Sequence, residues 1–224
     1  MDFGKEFMKY GTKHAGIGSH NLHSWEKMQV ESMTPYILEE RDMRVSQLDI
    51  FSRLMMDRII WINTGISDSM SSIVQAQLMF LDSVNQKDIT LHLDSPGGSV
   101  KSGLSIIDVM EYISCDIATI NTGMCASMGA VMLGAGTKGK RSSLRSSRTM
   151  VHMSSGGAGG HILDAEITWK EWMKVNDQLF KMLSDYTGKS PEQIKIDANR
   201  DFWLSSDEAV EYGIIDEVVL SKKK

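Results

Sequence analysis

From Leu48 onward the chain alternates short apolar runs with longer stretches of helical periodicity, and this alternation restricts its fold more than any other feature. The runs at 58–62, 89–93, 117–120 and 149–151 are too short for helices and rich in β-branched side chains, so they read as strands. Helices are expected over 68–84, opened by Asp68 as N-cap, and over 99–113, 127–135, 162–185, 190–198 and 205–212. Strand then helix, repeated, predicts an α/β fold of β-α units around a largely parallel sheet. At 224 residues and 42% hydrophobic content the chain can bury one sizeable core, and a single domain is the expectation.

Charge and cysteine content narrow the function classes. With 24 Lys and Arg against 29 Asp and Glu, the net charge is -5, and no basic run offers a footprint for a phosphate backbone, so nucleic acid is not an expected partner. The two cysteines, Cys115 and Cys125, match neither a disulfide framework nor a paired metal-ligand spacing. They read as buried core thiols in a reducing compartment, which points to the cytoplasm. No run approaches the roughly eighteen apolar residues of a membrane helix. The longest, 124–136, is interrupted by Ser127 and by Gly129, Gly134 and Gly136, so no membrane is expected. Residues 1–29 lack both an apolar core and arginine, which suits a leader better than a secretory signal.

Three small-residue elements can carry chemistry, and each also has an ordinary structural reading. Ser95-Pro96-Gly97-Gly98 joins a strand to a helix; it is either a chain reversal or a turn whose bare N–H groups bind an oxyanion. In Gly123-Met124-Cys125-Ala126-Ser127-Met128-Gly129-Ala130, Ser127 stands where a strand passes into a helix. There it is either a helix cap or a nucleophile whose neighbouring amides stabilise negative charge. Gly156, Gly157, Ala158, Gly159 and Gly160 form either a flexible loop or an open backbone edge for an extended peptide. The run 134–141 nearly spells a phosphate-binding loop, but Arg141 stands where a magnesium-binding hydroxyl is required.

Two further residues, His152 at the end of a strand-like run and Asp201 beside Arg200, each have a bland alternative as a structural histidine and an ion-paired acid. The helix 162–185 carries a stripe from Trp169 and Trp172 through Asn176 to Leu183 at i, i+3, i+4 spacing. That stripe faces either the chain's own core or another subunit.

These elements coincide in one family. Over residues 34–220 the chain resembles the ClpP family, the proteolytic subunits of ATP-dependent Clp proteases. The resemblance rests on Asp49-Ile50-Phe51-Ser52-Arg53-Leu54, Ser95-Pro96-Gly97-Gly98, Ala126-Ser127-Met128-Gly129-Ala130, Gly139-Lys140-Arg141, Val151-His152 and Glu208-Ala209-Val210-Glu211-Tyr212-Gly213. It implies the ClpP/crotonase-type spiral of β-α units with a protruding handle helix. It also implies a serine endopeptidase in which Ser127 is the nucleophile, His152 the general base and Asp201 the acid that orients it. The steps between them, 25 and 49 residues, match the family without gaps. By the same resemblance the backbone N–H groups of Gly98 and Met128 form the oxyanion hole, and residues 156–160 hold the substrate main chain.

The resemblance further implies no cofactor and no metal, and a homo-oligomer of two stacked heptameric rings enclosing a chamber. A hexameric AAA+ unfoldase, ClpX- or ClpA/ClpC-like, is expected to feed it unfolded polypeptides. Residues 1–32 would then be a leader or propeptide and 33–224 the peptidase domain. The chain departs from the family pattern at Met153-Ser154, where Gln-Pro is usual, at Thr90 and His92, where tyrosines are usual, and at Asn199, where an acid is usual. Two other functions stay open at this point: an acyl-CoA hydratase or isomerase of the crotonase group, and a catalytically silent ring subunit.

Overall fold

A computed structural model describes residues 36–41, 44–156 and 160–220; the expected leader at 1–32 lies outside the described residues. They divide into two units. The first, ending at Arg53, contains the antiparallel strands β1 (Tyr36–Arg41) and β2 (Arg44–Asp49), with Tyr36 opposite Asp49. Asp49 opens helix α1 (Ile50–Met56), its carboxylate accepting the Ser52 amide at 2.9 Å.

The second unit, from Leu54, is built on a seven-stranded sheet. Strands β3 (Ile59–Ile62), β4 (Ile89–Ser95), β5 (Ile117–Ala126), β6 (Arg141–Leu144) and β9 (Glu217–Val219) lie side by side, all parallel. Along β4, Ile89, Leu91 and Leu93 are buried while Thr90, His92 and Asp94 are not, so one face of the sheet carries the core. Helices α2 (Asp68–Val84) and α3 (Val100–Tyr112) supply its other side through Val74, Leu78, Leu81, Ile106, Ile107 and Met110. The N-cap of α2 is Ser67, which has extended backbone and accepts the Met70 amide at 3.3 Å. Asp68 is therefore one residue inside the helix, where its charge faces the positive end of the dipole.

Strand β5 runs six residues beyond the expected 117–120, and the extension forks the sheet. Thr119 to Asn121 pair with β6, whereas Met124 to Ala126 pair in parallel with β7 (Arg148–Val151). At the fork the fully buried Asn121 donates to the Arg148 carbonyl at 3.0 Å and to Thr149 Oγ1 at 3.2 Å, and accepts the Gly123 amide at 3.1 Å. One amide side chain thus satisfies the groups left over where the ladder changes partner. On its other edge β7 pairs antiparallel with β8 (Phe202–Ser205), Val151 standing opposite Phe202.

The remaining helices are α4 (Met128–Gly134), α5 (Ile162–Thr187), α6 (Pro191–Asp197) and α7 (Ser206–Tyr212). The stripe on α5 divides: Asn176, Leu179, Phe180 and Leu183 are buried in this chain, whereas Ile162 is 82% and Trp169 58% exposed. Both cysteines are buried free thiols, and burial pushes the ionisation of each upward. Among the described residues no helix is long and apolar enough to cross a membrane.

Arg141 serves the fold. It is 3% exposed; Nη2 donates to Asp216 Oδ1 at 2.6 Å, Nε to Oδ2 at 3.0 Å, and Nη1 to the Tyr186 carbonyl at 3.0 Å. This ties β6 to the end of α5 and to the segment before β9. Burial raises the Asp216 carboxyl, but the guanidinium and the amides of Arg141 and Gly139 outweigh it and hold the group below the ordinary carboxylate value. Asp216→Ala is expected to leave the buried guanidinium uncompensated and to cost about 3 kcal/mol, read as a lowered urea midpoint. Because the folded carboxyl is depressed, its contribution is complete above about pH 4 and disappears as pH falls through the folded value. The gap between variant and native protein should therefore close in acid.

Candidate active site

Three strand ends meet at one point. Ser127 directly follows β5, His152 directly follows β7, and Asp201 directly precedes β8. The parallel register sets Ala126 beside Met150, and the Ser127 amide donates to the Met150 carbonyl at 2.8 Å, extending the ladder by one bond. The antiparallel register then sets Phe202 beside Val151, which brings Asp201 next to His152. His152 Nε2 lies 2.9 Å from Ser127 Oγ, and His152 Nδ1 lies 2.9 Å from Asp201 Oδ1. A carboxylate only accepts, so the Nδ1 hydrogen points to Asp201 and Nε2 is left to accept the serine hydroxyl. The imidazole is 23% exposed and the carboxylate 62% exposed.

Ser127 stands at the N-cap of α4, yet its side chain makes no capping bond, so the alternative of a capping serine falls. Its backbone has φ 55° and ψ -125°, a region that costs a non-glycine residue about 1–3 kcal/mol. The turn holds because its neighbours are small where they touch it. A Cβ on Gly97, whose φ is 92°, would lie 2.7 Å from both the Ala126 carbonyl oxygen and Ser127 Cβ, and a Cβ on Gly129 would lie 2.9 Å from the Ser95 carbonyl oxygen. The Pro-Gly-Gly turn and the serine turn are thus in backbone contact.

Two sets of amides border this point. The first intrahelical bond of α4 runs from the Ala130 amide to the Ser127 carbonyl at 3.0 Å, so the Met128 and Gly129 amides precede it. On the opposite side Gly98 pairs with Ile66 in a parallel bridge: Ile66 donates to the Gly97 carbonyl at 2.8 Å, and Ser99 donates to the Ile66 carbonyl at 2.9 Å. In that pattern the N–H of Gly98 itself points away from Ile66. A side chain at Gly98 would overlap the Ile66 carbonyl at 2.3 Å. Of the expected peptide-holding residues, Gly156 and Gly160 are described; Gly157, Ala158 and Gly159 lie outside the described residues.

Beside Ser127 and His152 opens an apolar pocket walled by Val100, Met128, Val131, Leu179, Phe180 and Leu183. Ser154 and Asn176 add polar groups to the lining. None of these wall residues except Met128 stood out in the sequence as functional. Asn176 left a trace there, as an amide inside an otherwise apolar helical stripe.

Comparisons with known proteins identify the family. The family model described as Clp protease matches residues 40–222. Over 218 residues the chain is 50% identical to the ATP-dependent Clp protease proteolytic subunit of Bacteroides fragilis (strain YCH46), covering 97% of this chain and 99% of that one. It is 47% identical over 220 residues to the subunit of the same name from Porphyromonas gingivalis, covering 98% and 99%. It is 49% identical over 218 residues to that of Bacteroides thetaiotaomicron. A match of this extent leaves no room for the crotonase-group alternative: the chain belongs to the Clp protease family of serine peptidases.

Proposed function

We propose that Ser127, His152 and Asp201 are the catalytic triad of this peptidase, with the amides of Gly98 and Met128 as its oxyanion hole. The observation that carries the reading is the pair of 2.9 Å contacts through one imidazole, from Nε2 to Ser127 and from Nδ1 to Asp201. Contact between the strained serine and Gly97 supports the second half, because it sets the two bordering turns against each other.

In the acylation step His152 Nε2 takes the hydroxyl proton as Ser127 Oγ attacks the scissile carbonyl carbon. The electron pair of the C=O bond moves to oxygen, where the two amides stabilise the charge. His152 then gives its proton to the leaving amine as the C–N bond breaks, and an acyl-enzyme on Ser127 remains. Water, deprotonated by His152, hydrolyses that ester and restores the serine. Asp201 keeps the Nδ1 hydrogen in place and stabilises the imidazolium formed in both halves. We assign the side chain on the acyl side of the scissile bond to the apolar surface beside Ser127 formed by Val100, Val131, Leu179 and Phe180, and the peptide main chain to residues 156–160. The reaction needs neither metal nor organic cofactor. With both triad contacts formed, a silent ring subunit is the less economical reading.

The assembly we infer is a homo-oligomer of two stacked heptameric rings, served by a hexameric AAA+ unfoldase that delivers unfolded polypeptide. The relatives support it by their names, as proteolytic subunits of an ATP-dependent protease. The exposed Ile162, Ile167 and Trp169 on the first turns of α5 support it as well, since apolar surface of this kind is normally covered by another chain. Residues 1–32 are inferred to be a leader removed from a cytoplasmic enzyme.

A fluorophosphonate probe is expected to label Ser127, and Ser127→Ala to lower cleavage of short fluorogenic peptides by at least about 10³-fold while the subunit count by native mass spectrometry stays the same. Undiminished peptidase activity in that variant would refute the assignment. Gly97→Ala, whose methyl would overlap the serine turn, is expected to lower kcat/KM by about 100-fold. Activity within a factor of two of native there would remove the Pro-Gly-Gly turn from the oxyanion hole.

A further inference from the structure

The segment that leaves the catalytic histidine is held against α5 at two points. At the first, the Ser154 amide and the Ser154 hydroxyl both donate to Asn176 Oδ1, at 3.0 and 2.9 Å. Asn176 is 4% exposed, and its Nδ2 donates in turn to the Trp172 carbonyl at 3.2 Å. At the second point the Trp172 ring lies on the backbone of Gly156: a Cβ there would stand 2.4 Å from Trp172 Cη2 and 2.7 Å from Cζ2. The φ of Gly156 is not positive, so a side chain at this position would be opposed by the indole and not by the backbone conformation.

The spacing of the two points is not arbitrary. Trp172 and Asn176 are four residues apart on a helix, a rise of about 6 Å. Two residues of extended chain span about 6.6 Å, enough for Ser154 and Gly156 to meet both points in one pass. The segment therefore runs along α5 in register, Ser154 over Asn176 and Gly156 over Trp172. Its origin is held separately, by the Met153 amide on the Ala198 carbonyl at 2.7 Å, three residues before Asp201. Ser154 and Asn176 also line the pocket beside Ser127.

We propose that Trp172 and Asn176 are positioning residues for peptide binding: a two-point clamp through which α5 sets the path of the chain that a bound peptide lies against, without touching the reacting atoms. The proposal rests on the peptidase reading of Ser127 and adds to it the helix residues that hold the substrate side. Ser154 is essential to it. A proline at that position would have neither the amide nor the hydroxyl hydrogen that Asn176 accepts.

The test compares peptide kinetics with fluorophosphonate labelling, because the small probe reports on Ser127 and His152 without needing the peptide's path. On the assembled full-length protein, Asn176→Leu strands two donors of Ser154 and is expected to raise KM for a short fluorogenic peptide about tenfold, with kcat and the labelling rate falling less than threefold. Gly156→Ala, acting on the exposed segment and not on the core, should raise KM by a similar factor. Ser154→Ala should raise it about threefold, and adding Asn176→Leu to it should give less than the product of the two single effects, as expected for partners in one contact. The clamp is overturned if KM is unchanged in both Asn176→Leu and Gly156→Ala. It is also overturned if kcat, labelling rate and unfolding midpoint all fall together with KM, which marks a merely structural contact. A native enzyme that takes up no probe at Ser127 would remove the peptidase reading itself and the clamp with it.

Discussion

The arrangement depends first on the parallel pairing of the last three residues of β5 with β7. Each residue of a parallel ladder has a fixed neighbour, so once Ala126 stands beside Met150 the two chains must leave the sheet together, one into Ser127 and the other into His152. The antiparallel partner of β7 then delivers Asp201 from the opposite direction. Three residues separated by 25 and 49 positions are aligned by two registers, and the registers are protected by Asn121 at the point where β5 exchanges β6 for β7. The contact of Ser127, His152 and Asp201 is therefore a property of the sheet's fork more than of any loop.

The same fork explains why strain is tolerated. Ser127 is held in an unfavourable backbone conformation by a ladder bond behind it and a helix ahead of it, with Gly97 and Gly129 giving up their side-chain space around it. Released from capping the helix, its hydroxyl is free to meet the imidazole. The local instability is offset by the core that β5, α2 and α3 share.

Helix α5 joins the interior to the outside. Its second half contributes Leu179, Phe180 and Leu183 to the pocket wall, and its first turns project Ile162 and Trp169 away from this chain. Trp172 and Asn176 stand where the one half passes into the other, in contact with the segment that follows His152. Under the proposed roles, a shift of the outer half of α5 would reach the segment after His152 through these two side chains, while Ser127, His152 and Asp201 are anchored separately by strand pairing.

Much of this was legible from the chain alone. The β-α alternation, all six expected helices and the strand-to-helix passage at Ser127 appear within a residue or two of where the periodicity put them, because repeated short apolar runs and amphipathic stretches have few other solutions. The short strands β6, β8 and β9 were not legible: four residues or fewer, they owe their conformation to the neighbours they pair with. Arg141 and Asn176 were opaque for a related reason. One is a basic residue inside a glycine-rich run and the other an amide inside an apolar stripe, and their roles depend on Asp216 and on Ser154, 75 and 22 residues away. The sequence by itself determined which residue types are present at which spacing, and so the family and the chemistry available to it. Only the tertiary structure decided that the serine does not cap its helix, that β5 forks, and that the helix stripe is half core and half surface, because each of those depends on strand register and on contacts between residues far apart in the chain.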